Sequence, residues 1–243
     1  MTAMKTDELF REDATRLTCD AAVIAHGEGG VLLDQTVCYP LGGGQAGDTG
    51  WLLADGQRWR VTDTRKSKEH AGAIVHLVDG VALPAIGVSV RVEVDAARRQ
   101  AHRRFHTATH LLCALLPYPV DGCSITETYA RLDFHTDEPF DKDTIQAGLQ
   151  RLVAEAHPVG HRWISEDELD ANPGLVRSMS VQPPRGLGRV RVLEIEGVDL
   201  QPCGGTHVSN TAEIGAVVVT KIEKKSAKTR RVVLGFADGH VVS

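Results

Sequence analysis

The chain has 243 residues, 42% of them hydrophobic and 24% charged, and a formal net charge of −5. Those proportions suit a globular protein with a sizeable core and exclude a strongly basic nucleic-acid coat, so any nucleic-acid contact must come from local patches. Its five cysteines, an odd number at irregular spacings, argue against a disulfide framework.

No apolar run approaches the ~18–20 residues that a membrane span needs. The opening stretch Met1–Arg11 carries acids and lacks an apolar core, so no secretory signal and a reducing cytoplasm are expected. Residues 15–94 read as strands: Val23–Ala25, Val31–Leu33, Gln57–Val61, Ala73–Val78 and Val88–Val94 are short, rich in β-branched residues and separated by turn formers. The last alternates apolar and polar side chains, as a half-buried strand does. This spacing predicts a small barrel or sandwich.

At Asp95 the pattern changes. Asp95 is a good N-cap, and Ala97, Ala101, Phe105, Ala108, Leu112 and Leu115 recur at helical spacing until Pro117. Tyr129–His135 alternates as a strand, and a second helix is expected from Asp141 to His157. A short helix over Glu166–Ala171 ends at Pro173, and strands follow near 188–196, 214–223 and 231–236. The chain is therefore expected to be α+β: a β-barrel-like domain over 1–94, then an α+β domain over 95–243.

Two runs carry the chemistry. His106-Thr107-Ala108-Thr109-His110 lies on the predicted helix, where residues four apart share a face with β-carbons roughly 5–6 Å apart. Cys203-Gly204-Gly205-Thr206-His207 has the same ligand spacing around two glycines, which suit a tight turn. Together they offer three imidazoles and a thiolate, a donor set that tetrahedral zinc accepts. Cys113 and His102 share the helix face with His106 and His110, and helix geometry leaves either open as a rival ligand.

Residues 39–50, Tyr-Pro-Leu-Gly-Gly-Gly-Gln-Ala-Gly-Asp-Thr-Gly, lack the Lys-Ser/Thr of a phosphate loop, and no helix pattern follows. They read as a wide turn, or as backbone lying close to a ligand with Gln45 as donor and acceptor.

The pairing of His106-Thr107-Ala108-Thr109-His110-Leu111-Leu112 with Cys203-Gly204-Gly205-Thr206-His207 resembles the editing domain of alanyl-tRNA synthetase. It is still more similar to the free-standing AlaX editing proteins, which carry that domain without the aminoacylating one. The glycine run Gly42–Gln45 with Gly47-Asp48-Thr49-Gly50, Arg131–Phe134 and Glu213–Gly215 fit the same pattern. The likeness runs from about residue 15 to about 236, and the length with its N-terminal β domain suggests the medium-sized type. Cys38, Leu41 and Ala46 depart from the more usual residues around the glycines.

The resemblance implies zinc held between helix and loop by His106, His110, Cys203 and His207. It also implies a substrate, alanine tRNA wrongly charged with serine or glycine, and an activity, hydrolysis of the aminoacyl ester. The zinc would either activate a water or hold and orient the substrate; four protein ligands fill a tetrahedron and leave that choice open. The pocket for the serine hydroxyl is expected at Thr109 and at Gly42, Gly43, Gly44 and Gln45, with back-bonding to the helix as the plain alternative for Thr109. Arg98, Arg99, Arg103 and Arg104, and downstream Lys221, Lys224, Lys225, Lys228, Arg230 and Arg231, are the expected tRNA contacts. The competing readings are a zinc-stabilised tRNA-binding module without catalysis and a zinc hydrolase of small esters or amides. Nothing in the sequence fixes an oligomeric state.

Overall fold

The computed structural model describes residues 4–80, 82–179, 183, 186 and 188–237. The chain divides into two compact units. The first comprises residues 1–42 and 46–100, and the second residues 43–45 and 101–243. Three residues of the glycine run thus belong to the second unit.

In the first unit, β1 (Asp7–Glu8) pairs in parallel with β4 (Gln35–Thr36). Six strands close a barrel: β2 (Thr18–Gly27), β3 (Gly30–Leu33), β5 (Gly50–Ala54), β6 (Gln57–Lys66), β7 (Ile74–Val78) and β8 (Ser89–Val94), in the order β2-β3-β7-β6-β5-β8. Closure leaves no strand edge unpaired. The alternation read in β8 holds, with Val90, Val92 and Val94 turned inward beside Val23, Leu33, Leu52 and Val61. Strand β5 was not legible because its Gly-Trp-Leu-Leu-Ala follows a glycine run and does not alternate.

Helix α1 (Ala96–Leu115) begins where Asp95 caps it, its carboxylate accepting from Arg98 N at 3.1 Å. In the second unit a four-stranded sheet runs β14-β15-β10-β9, from β9 (Val120–Ile125), β10 (Ala130–His135), β14 (Val217–Ser226) and β15 (Thr229–Phe236). Phe105, Ala108, Leu111 and Leu112 of α1 share one buried cluster with Leu132, Phe134, Val232 and Leu234 of that sheet. This fixes which face of α1 turns inward. Helix α2 (Lys142–Ala154) adds Ile145, Leu149 and Leu152 to the cluster. It stops short of His157 because Ala156 takes a left-handed φ of 56° ahead of Pro158.

A second, three-stranded sheet runs β11 (Val159–Ser165), β12 (Arg189–Ile195) and β13 (Asp199–Pro202). Ile164, Val190 and Val192 pack against Leu169 of α3 (Glu166–Ala171) on one face, while Leu193 and Ile195 enter the main cluster from the other. β9, β11 and β13 escaped the sequence reading because each has few β-branched residues and a glycine, a proline or several charges within it.

Candidate metal centre

His106 and His110 are one helical turn apart on α1, and their ring centroids lie 5.6 Å apart. His207 brings its ring to 4.4 Å from His106 and 5.2 Å from His110. One donor atom from each of His106, His110, Cys203 and His207 falls within 4.8 Å of every other. Among the described residues this is the one group of His, Cys, Asp or Glu donors close enough to share an ion. Cys113 and His102 stand outside it: Cys113 sits in the apolar cluster, where burial pushes its thiol up to about 12, and His102 lies 3.9 Å from Glu127.

The imidazoles are aimed by three different partners. His110 Nδ1 lies 2.8 Å from Asp199 Oδ2, an acceptor only, so the ring carries its hydrogen on Nδ1. His106 Nδ1 donates to Gln45 Oε1 at 2.8 Å. The Thr107 hydroxyl donates to the Arg103 carbonyl at 2.9 Å, which leaves its lone pair to accept from His207 Nδ1 at 3.2 Å. All three Nε2 atoms are thereby left to face the centre. Two of them face the Cys203 sulfur, at 3.5 Å for His106 and 3.2 Å for His207.

Electrostatics agrees with this donor geometry. Burial pushes the Cys203 thiol up, yet the imidazoles of His106 and His207 overcome it and hold the thiol well below its ordinary value. Burial pushes His110 down, and the bonds to Asp199 and Cys203 more than reverse that, raising it to about 10, so an ion binding there would displace a proton from its Nε2. Burial lowers His207 well below the ordinary imidazole range. A half-buried thiolate ringed by converging imidazoles fits a soft-to-borderline divalent ion.

The loop is held from both sides. Arg103 Nε donates to the His207 carbonyl at 2.7 Å, and Arg191 Nη1 donates to the Cys203 carbonyl at 2.7 Å. Gly205 is obligatory, since a β-carbon there would stand 2.1 Å from His106 Cε1. The glycine at this position of the motif makes room for a ligand ring.

Several expected contacts are spent elsewhere. Gln45 is fully buried and bonds His106, Thr206 N at 3.2 Å and the Thr206 hydroxyl, so it positions the centre and lines no open pocket. The backbone of Gly44 bonds Ile125 N at 2.8 Å, and a β-carbon there would meet Cys123 Sγ at 2.7 Å, so its close neighbour is protein. The Gly42 carbonyl accepts from Tyr39 Oη at 2.8 Å, and Gly43 takes the positive φ of 58° that the turn requires. The Thr109 hydroxyl spends its hydrogen on the His106 carbonyl at 2.7 Å, the helix back-bond, and keeps only its lone pairs.

Of the arginines of α1, Arg99 and Arg103 are buried, Arg98 and Arg104 half-buried, and all four bond to other segments. Arg98 donates to the Gly47 carbonyl at 3.2 Å and Arg99 is buried on Asp48. Arg103 holds the metal loop, while Arg104 donates to the Ile214 carbonyl at 2.8 Å and lies 3.7 Å above the Phe236 ring. Arg230 is buried on backbone carbonyls and Arg231 pairs with Asp133 at 2.6 Å, so neither is a free phosphate ligand. Lys221, Lys224, Lys225 and Lys228 remain exposed along β14 and its turn, with Lys221 2.7 Å from Glu223.

Asp199 and Thr107 were not found from spacing. Asp199 and Gln201 occupy the buried positions of β13 in step with Cys203, and Gln201 Nε2 holds the Asp199 carboxylate at 2.9 Å. Two buried polar residues alternating toward a thiol were the available signal. Asp199→Asn should weaken metal affinity roughly 10–100-fold, the usual effect of removing such a partner, as read by chelator competition. Unchanged affinity would remove Asp199 from the centre.

Sequence comparison places the barrel unit and the α+β unit with its His-His-Cys-His cluster among tRNA synthetase-related domains. The model for tRNA synthetases class II (A) matches residues 8–98, and that for the threonyl and alanyl tRNA synthetase second additional domain matches residues 190–233. An alanine–tRNA ligase of Metallosphaera sedula is 32% identical over 98% of this chain, which spans only 26% of the ligase. The alanyl-tRNA editing protein AlaX-M of Methanosarcina barkeri is 33% identical over 86% of this chain and 89% of its own length. That of Methanosarcina acetivorans is 32% identical with the same coverage. The chain belongs to the AlaX-M family of alanyl-tRNA editing proteins.

Proposed function

We propose that this protein is a trans-editing hydrolase that removes serine, and also glycine, from mischarged alanine tRNA, with zinc held by His106, His110, Cys203 and His207. The convergence of three Nε2 atoms on a low-pKa thiol carries the reading, together with similarity to AlaX-M proteins over 89% of their length. Zinc is assigned because three imidazoles and one thiolate are a set it takes. When bound, it would supply Lewis acidity, either to a water or to the substrate.

The chain's own residues do the positioning. Asp199, Gln45 and Thr107 lock the rings, and Arg103 and Arg191 lock the loop. Thr109 lies three residues from His106 on the same helix face, and with its hydrogen spent it presents lone pairs to a substrate hydroxyl or ammonium. A mischarged ester is already reactive, so fixed geometry supplies much of what its hydrolysis needs. Such a site is needed because an alanine pocket rejects an added hydroxyl only about 10²-fold.

The test is deacylation of seryl-, glycyl- and alanyl-tRNA(Ala), with and without a chelator. Turnover of the first two that chelation abolishes supports the proposal. The four-donor set also favours a second reading, a metal-stabilised module that binds tRNA without cleaving it, and protection of the ester would establish that instead.

The exposed lysines of β14 and its turn are the proposed contact to the tRNA backbone. Lys224→Glu with Lys225→Glu should weaken tRNA binding and lower the magnitude of its salt slope by about 1–2, since each phosphate contact contributes about 0.9. An unchanged slope would exclude this surface.

A further inference from the structure

Trp163 on β11 is the most exposed aromatic side chain among the described residues, 43% open, and the Arg189 guanidinium lies 4.5 Å from its ring centre. One face of the indole is therefore backed by a cation, and much of the ring is open. The neighbouring cation, Arg162, projects from the other face of the strand, within 3.5 Å of both Glu168 and Glu194. The positive charge left to act outward is on the tryptophan side.

Register ties this face to the metal loop. Trp163 stands directly opposite Arg191, and opposed residues project from one face of a sheet. Arg191 in turn donates to the Cys203 carbonyl at 2.7 Å, and Cys203 N donates back to the Arg191 carbonyl at 3.1 Å. Cys203 and Trp163 thus flank β12 on its two sides, about 10 Å apart, which is two inter-strand spacings. A few nucleotides of single strand cover that distance. His161, on the same face, is held below the ordinary imidazole range by partial burial and by the charge of Arg191.

We propose that Trp163, backed by Arg189, is a stacking platform for an unpaired base near the 3′ end of the RNA whose terminal ester reaches the His106–His110–Cys203–His207 centre. This rests on the editing reading above and adds the residue that holds the strand. An open indole beside an arginine stacks any base and neutralises the adjoining phosphate, the combination that single-strand binders use. It grips the RNA without reading its sequence, which a site for a shared 3′ end requires.

Two measurements decide it. The first is steady-state deacylation of seryl-tRNA(Ala) by wild type, Trp163→Ala and Trp163→Phe. Loss of one stacked base should raise KM about ten-fold in the alanine variant with kcat kept, and the phenylalanine variant should recover most of the loss. The second is titration with a short single-stranded RNA of the tRNA 3′-terminal sequence, followed by tryptophan fluorescence. Quenching should occur in wild type and vanish in Trp163→Phe, which retains Trp51 and Trp59. A KM unchanged in Trp163→Ala, or equal quenching in Trp163→Phe, overturns the platform. If wild type leaves seryl-tRNA(Ala) intact, the hydrolytic reading fails, and the titration still decides the platform by itself.

Discussion

Cys203→Ala is expected to lose metal and deacylation together. The apparent binding free energy of a four-ligand structural zinc is about 10–16 kcal/mol, so one ligand in four accounts for roughly 3 kcal/mol, or more than 100-fold in affinity. Cys203 contributes more than a share of that sum. Its sulfur lies within 3.5 Å of two ligand nitrogens, so its removal also leaves the imidazoles without the anion that gathers them. Metal content after dialysis and a chelator titration measure the loss. Cys113→Ala is the control: it empties a small apolar site and should leave metal content at one ion per chain. A Cys203→Ala protein with full metal would end the zinc assignment.

The second large effect concerns the barrel unit. Arg99, 1% exposed, is bonded to Asp48 at 3.0 Å and to the Ala14 carbonyl at 3.0 Å, and it also reaches the Val37 carbonyl. Asp48, 0% exposed, also accepts from Tyr39 N at 2.6 Å. Arg99→Met strips the carboxylate of its counter-charge in a place water does not reach. Breaking such a buried pair costs about 3–5 kcal/mol. Urea unfolding followed through the barrel tryptophans, Trp51 and Trp59, should show it. Adding Asp48→Leu should recover much of the loss, because the penalty is the orphaned charge and two apolar groups leave none. A loss under about 1 kcal/mol in the single variant would contradict the packing described here.

The sequence announced the His106–His110 pair on α1 well, because helical periodicity and a cap at Asp95 fix which residues share a face. It announced Cys203 and His207 through spacing and glycines. The supporting shell was much less visible. Gln45 is 61 residues from His106 and Asp199 is 89 from His110. Only the fold makes them neighbours. The arginines misled for the opposite reason: a run such as Arg98-Arg99 with Arg103-Arg104 looks like a charged surface, whereas each of the four finds a carbonyl or carboxylate in another segment. The segment Val159–Ser165 was passed over because only Ile164 among its residues is buried, so it lacks the alternation of a half-buried strand.

Asp199, Gln201 and Cys203 follow one another along a single side of the chain, paired through β12 at Ile195 and Leu193. A slip of one residue would turn that whole side over. The thiol would then leave the imidazoles in the same step that Asp199 abandons His110. Mis-registered chains therefore cannot capture the ion, and capture penalises mis-registration. Ion loading would then act as a proofreader of the protein's own strand alignment, and refolding yield should track the metal supplied.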